Sequence, residues 1–157
     1  MSTLIIDDLT RDRADALRYF AADSNLLQQT YAPGKWSARM VLVHLADAVG
    51  VQLDRLRRLQ ADEKPLLWAF DPNRWASHLA YEQRDLNIAA ALFVANLDAI
   101  AEMANLIPAD RFERVGIHSE AGRKSFGEVL AFVHWHTRHH LDQIEAAVAG
   151  RTWVAQA

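Results

Sequence analysis

Apolar residues recur every three to four positions through most of this chain, with polar residues filling the faces between them. That spacing predicts helices rather than strands. Four long helices follow from it. The first runs from about Thr10 to Tyr31 on a stripe of Leu17, Phe20, Leu27 and Tyr31, and Ala32-Pro33-Gly34-Lys35-Trp36 stops it. The second opens at Ser37 as N-cap and carries Met40, Val41, His44, Leu45, Ala48, Val51, Gln52, Leu56 and Leu59 on one face. Trp36 is placed to staple onto Val41, while Met40 occupies the position where a capping box would need Glu or Gln. Arg55, Arg57 and Arg58 near the end of this helix read as charges that suit the helix dipole rather than as an anion site. The third helix spans about Arg84 to Leu106, with Leu86, Ala89, Ala90, Phe93, Leu97, Ile100, Ala104 and Ile107 in its stripe and Pro108 as its stop. The fourth opens on a full capping box, Ser125-Phe126-Gly127-Glu128, and runs to about Ala149 before Gly150.

Loop lengths constrain how these helices connect. About five residues join the first two, which predicts antiparallel neighbours. Residues 62–83 form a long connection, and Asp71-Pro72 within it predicts a short helix over about 72–79. A chain extended at about 3.3 Å per residue can climb back along a full helix over that length. The second and third helices are therefore free to run parallel. The expected fold is an all-α four-helix bundle with one long crossover, without a β-sheet of three or more strands, and with the whole of residues 1–157 as a single domain.

Composition narrows the chemistry. The chain has no cysteine, so any metal must be held by His, Asp or Glu. Seventeen Lys and Arg against 20 Asp and Glu give a net charge of −3, which argues against a strongly basic nucleic-acid binder. The longest stretch free of charged residues, Leu86–Leu97, has 12 residues, where a membrane span takes about 20. Met1-Ser2-Thr3-Leu4 lacks the basic and apolar regions of a signal peptide, so a cytoplasmic location is expected, with neither membrane nor nucleic acid as partner.

Histidine is where the sequence becomes specific. His134, His136, His139 and His140 crowd the fourth helix, His44 lies on the second, and His78 and His118 fall in loops. At about 100° per residue, His136 and His140 stand about 40° apart and one turn apart in height, on the stripe of Val129, Val133 and Ile144. His134 lies near the far edge of the helix and His139 to one side. His44 sits in the apolar stripe of its own helix. Each buried imidazole needs a partner, and one divalent ion would satisfy a nitrogen of all three. A hydrogen-bonded polar core and placement at the surface are the competing readings. Three imidazoles would leave coordination positions open, unlike a closed structural zinc site. Imidazole suits Zn, Ni, Fe or Cu alike. Asp47, nearly a turn beyond His44, is placed either to orient a ligand or as a solvated acid. Trp36 and Arg138 are weaker pocket candidates, and Arg138 falls on the opposite side of the helix from His136.

Pro33-Gly34-Lys35-Trp36-Ser37, His44-Leu45, and Trp135-His136-Thr137-Arg138-His139-His140-Leu141-Asp142-Gln143-Ile144 together resemble the DinB-like superfamily, which includes YfiT-like metal-dependent hydrolases. The resemblance covers nearly the whole chain. It implies a down-up-up-down bundle and a metal held by one His on the second helix and a His-x-x-x-His pair on the last, matching His44, His136 and His140. It further implies a divalent ion, usually nickel or zinc, and a homodimer. Relatives include thiol-dependent S-transferases and isomerases, so a small-molecule substrate and a low-molecular-weight thiol are the partners it suggests. Two functional classes follow: a metal-dependent transferase or hydrolase, or a non-catalytic stress or DNA-damage-response protein whose metal is structural or sensory. A plain helical scaffold without metal is the third reading.

Overall fold

The computed structural model describes residues 2–155. Met1, the first residue of the Met1-Ser2-Thr3-Leu4 stretch, and the last two residues lie outside that range. Among the described residues six α-helices form: α1 (Ser2–Phe20), α2 (Ser24–Leu27), α3 (Ala38–Ala61), α4 (Pro72–His78), α5 (Leu86–Leu106) and α6 (Phe126–Val148). The four long ones, α1, α3, α5 and α6, make a four-helix bundle.

Side-chain pairs set the helix directions. Arg13 pairs with Asp98 at 3.0 Å and Phe20 packs on Phe93 at 5.9 Å, so α1 and α5 are antiparallel. Asp12 meets His134 at 2.6 Å and Asp15 meets Arg138 at 2.7 Å, so α1 and α6 run parallel. Arg39 reaches the Glu82 carbonyl ahead of α5 at 2.9 Å, and Gly50 faces Asn96, which makes α3 and α5 parallel. Arg114, whose carbonyl accepts from the first residue of α6, donates to Leu59 O near the end of α3, so α3 and α6 are antiparallel. The order is down-up-up-down, with the parallel second and third long helices that the long crossover allows.

Three expectations are corrected. The first long helix stops at Phe20, not Tyr31, and it begins before Thr10. Asp23 turns the chain by accepting from the Asn25 amide at 2.8 Å and caps the short α2. Asp, Ser and Asn in succession offer the backbone local bonds that compete with the helical ladder. Buried Leu27 therefore reaches the core from α2, and the buried face of α1 is Leu9, Asp12 and Ala16. Second, α1 and α3 are not neighbours: each packs mainly on α5 and α6, at diagonal corners, with α2 contacting α3 and α6. Third, the two long loops are not irregular throughout. Short strands β1 (Leu66–Leu67), β2 (Val115–His118) and β3 (Gly122–Ser125) form a three-stranded sheet, β1 parallel to β2 and β2 antiparallel to β3. Gly116 makes this pairing possible, because a Cβ there would lie 2.9 Å from Pro65 O.

The other boundaries follow local chemistry. Ser37 accepts from Met40 N at 3.3 Å, Asp71 caps α4 ahead of Pro72, and Ser125 with Glu128 closes the capping box of α6. By length and composition α5 could cross a membrane, but Phe93, Leu97 and Ile100 place one face of it in the bundle core.

Candidate metal centre

α3 and α6 cross with their histidine faces opposed. His44 is 3% exposed, and its Nε2 lies 3.4 Å from His136 Nε2. His140 Nε2 lies 3.1 Å from the same atom. A ligand nitrogen from each of the three falls within 4.8 Å of the other two. Nitrogens held about 2.1 Å from one tetrahedral ion are about 3.4 Å apart, so this spacing fits a shared ion. The donor set fits as well: three imidazole nitrogens suit a borderline divalent cation.

The outer side of the cluster orients the rings. Gln143 Oε1 accepts from His140 Nδ1 at 2.7 Å, which leaves the His140 Nε2 lone pair turned to the cluster. The Gln143 amide donates in turn to His139 Nε2 at 3.3 Å. His44 Nδ1 is buried with no hydrogen-bond partner among the described residues. Aromatic rings wall the cluster: Trp36 at 5.3 Å and Phe70 at 6.1 Å from His44, and Phe132 at 5.3 Å from His136.

Burial in this apolar surrounding favours neutral imidazole. It is the largest influence on all three, with nearby imidazoles adding to it. His44 is held down at about 3. His136 is pushed to about 2. His140 stays at about 4 because its bond to Gln143 partly opposes burial. At neutral pH all three are in the form that can ligate.

The cluster opens into a cavity of about 660 Å³. Its rim brings in residues from the crossover loops, among them Phe70, His118 and Glu120, together with Gln52 and Arg55 of α3.

Other histidines and candidates have separate duties. His134 binds Asp12 between α1 and α6. His139 stacks on Trp135 at 5.1 Å and meets Trp153 edge-on at 4.8 Å. His78 bonds the Arg74 carbonyl at 2.9 Å, and His118 Nδ1 accepts from the Glu120 and Ala121 amides. Asp47 is neither a partner of His44 nor freely solvated: it accepts from Tyr81 at 2.9 Å and Arg84 at 3.0 Å. Arg138 pairs with Asp12, Asp15 and Asp142, away from the cavity. Trp36 does line the cavity, but packs over His44 and Tyr81.

Two residues escaped the sequence reading. Gln143, one turn after His140, carried a signal in its spacing alone. Arg55, about three turns after His44 and hence on the same face, has the sequence position of a dipole charge, yet it is 7% exposed and lines the cavity.

Comparison with known proteins agrees with this architecture. The model of the DinB superfamily matches residues 8–144. A protein of Oceanobacillus iheyensis named "Putative metal-dependent hydrolase" is 29% identical over 132 residues, covering 81% of this chain and 73% of its own. Among solved structures, YfiT from Bacillus subtilis, described as a probable metal-dependent hydrolase with an unusual four-helix bundle topology, superposes with a TM-score of 0.87 at 20% identity, over 96% of this chain and 89% of that one. A mycothiol-dependent maleylpyruvate isomerase shares the fold at a TM-score of 0.74 and 9% identity, over 92% of this chain and 60% of the isomerase.

Proposed function

Because this chain belongs to the DinB superfamily and opposes three neutral imidazoles at the wall of an open cavity, we propose that it is a metal-dependent enzyme, a hydrolase or a thiol-dependent S-transferase, with His44, His136 and His140 as ligands. The observation that carries this reading is the spacing of the three Nε2 atoms beside a cavity wide enough for a small molecule. Held by these residues, a divalent ion such as zinc or nickel would lower the pKa of a water or thiol and so supply a nucleophile near neutral pH.

The chain's own residues do the rest. Gln143 holds the His140 ring in one tautomer. Trp36, Phe70 and Phe132 keep the cluster in an apolar surrounding, where imidazole stays unprotonated. Among the described residues the cluster contains no fourth His, Asp or Glu ligand, which favours an open site over a structural one. The shared fold of the mycothiol-dependent isomerase supports a thiol as the nucleophile. Metal analysis of the purified protein, followed by thiol-transfer and hydrolysis screens on metal-loaded protein and on His136→Ala, tests the proposal. One ion per chain and turnover lost in the variant are expected. A full complement of metal with no turnover in any screen would favour a structural or sensory ion.

A further inference from the structure

Arg55 is a buried cation that its surroundings leave incompletely matched. It is 7% exposed and forms no ion pair among the described residues. Nη2 donates to the Trp68 carbonyl and Nη1 reaches Gln52 Oε1 at 3.4 Å, while Nε is buried with no partner among the described residues. Guanidinium does not shed its proton in proteins, and removing it from water without a counter-charge is unfavourable. Burial is the main influence on this group, with Asp54 and Glu120 opposing it only through space.

Its place in the cavity is equally informative. Arg55, Gln52, His118 and Phe132 line both the cavity of the imidazole cluster and an adjoining, more apolar groove of about 580 Å³ that runs on to Trp135. Glu120 is the one carboxylate lining the first cavity among the described residues. Arg55 rises about 16 Å along α3 from His44, and long helical side chains lean back toward the N-terminus. The guanidinium is therefore separated from the cluster by a gap that a small organic molecule can bridge, and its charge is felt at His136 and His118.

We propose that Arg55 is the specificity-determining residue of this cavity, binding a carboxylate on a substrate whose reactive end lies at the three-imidazole cluster and whose apolar part follows the adjoining groove. The planar guanidinium matches a carboxylate in shape and charge, and a metal held by three neutral ligands adds positive potential rather than cancelling it. This inference rests on the metal-dependent reading of the same cavity, but the binding of the anion can be measured apart from it.

The experiment compares octanoate with neutral octanamide by equilibrium binding to the full chain, zinc-loaded and metal-free, in wild type, Arg55→Met and Arg55→Lys. Zinc content is measured alongside. Wild type should prefer octanoate by about tenfold or more in both forms, as expected for a hydrogen bond between charged groups. In the metal-free protein Arg55→Met should equalise the two ligands and Arg55→Lys should keep part of the preference, with the zinc content of the loaded variants unchanged. A role confined to bracing the Trp68 loop would weaken both ligands together and leave their ratio intact, which would overturn the proposal. Equal affinity in metal-free wild type, no binding of octanoate in either form, or a preference that survives Arg55→Met in the metal-free protein would overturn it too. Failure of zinc to load would count against the three-histidine reading alone, and the metal-free comparison would still decide the role of Arg55.

Discussion

Gln143 and His140 are joined by a 2.7 Å hydrogen bond from the ring Nδ1 to the amide Oε1, one helical turn apart and on the outer side of the imidazole cluster. The bond fixes which nitrogen of His140 is free, so it bears on metal affinity without touching a metal. Gln143→Leu should lower zinc affinity by about 10- to 100-fold, measured by competition with a chromophoric chelator. Unchanged affinity would show that packing alone orients the ring.

Substitution separates ligands from bystanders. His44→Ala, His136→Ala and His140→Ala should each purify with little bound metal. His134→Ala and His78→Ala should keep full occupancy, since those rings bond Asp12 and the Arg74 carbonyl instead. Elemental analysis of the five proteins provides the check, and full metal in His44→Ala would exclude the three-ligand centre.

The depressed histidines set a pH dependence for the metal-free protein. Each titrates near 6.5 when unfolded and well below that when folded, at about 3 for His44 and about 4 for His140. Between those values the unfolded chain binds more protons, so stability is complete above about pH 6.5 and falls as the pH drops. The slope should approach about 1.4 kcal/mol per pH unit for each such histidine. Urea unfolding of metal-free protein between pH 7 and pH 5 measures it, with His44→Ala expected to show a shallower fall.

Asp12 presents the opposite case, a buried acid remote from the cavity. Burial raises its pKa, outweighing the lowering by His134 and Arg138. Asp12→Ala removes the acceptor between α1 and α6 and should destabilise the fold by about 1–3 kcal/mol. Thermal unfolding should register the loss while zinc occupancy stays intact.

Gly116 tests the small sheet. A side chain there meets Pro65 O at 2.9 Å and Leu59 Cδ2 at 3.1 Å. Gly116→Val should cost about 1–3 kcal/mol by forcing β1 from β2. Proteolysis of the crossover should accelerate as the strands part.

Much of the bundle was readable because its signals are local. Ser37, Asp71 and Ser125 each bond amides two or three residues on, so these helix starts depend on neighbours in the chain. Both bounds of α1 depart from that pattern: its start lies ahead of Thr10, and its end falls where the local signals conflict, the apolar stripe running on through Leu27 while Asp23-Ser24-Asn25 turns the backbone.

The sequence by itself determined the four long helices, their number and the inward pairing of His136 with His140, because a helix sets its own periodicity through bonds four residues apart. Tertiary structure alone decided that α1 lies diagonal to α3, that the two long loops join in a sheet, and that Arg55 and His118 share a cavity with His44. Those relations connect residues far apart in the chain, and their register is set by packing. Ser119 on one loop fastens Ala69 on the other at 2.9 Å, and Arg55 holds Trp68 beside it. No periodicity within either loop encodes that meeting, since it exists only once the bundle has brought the end of α3 beside the start of α6.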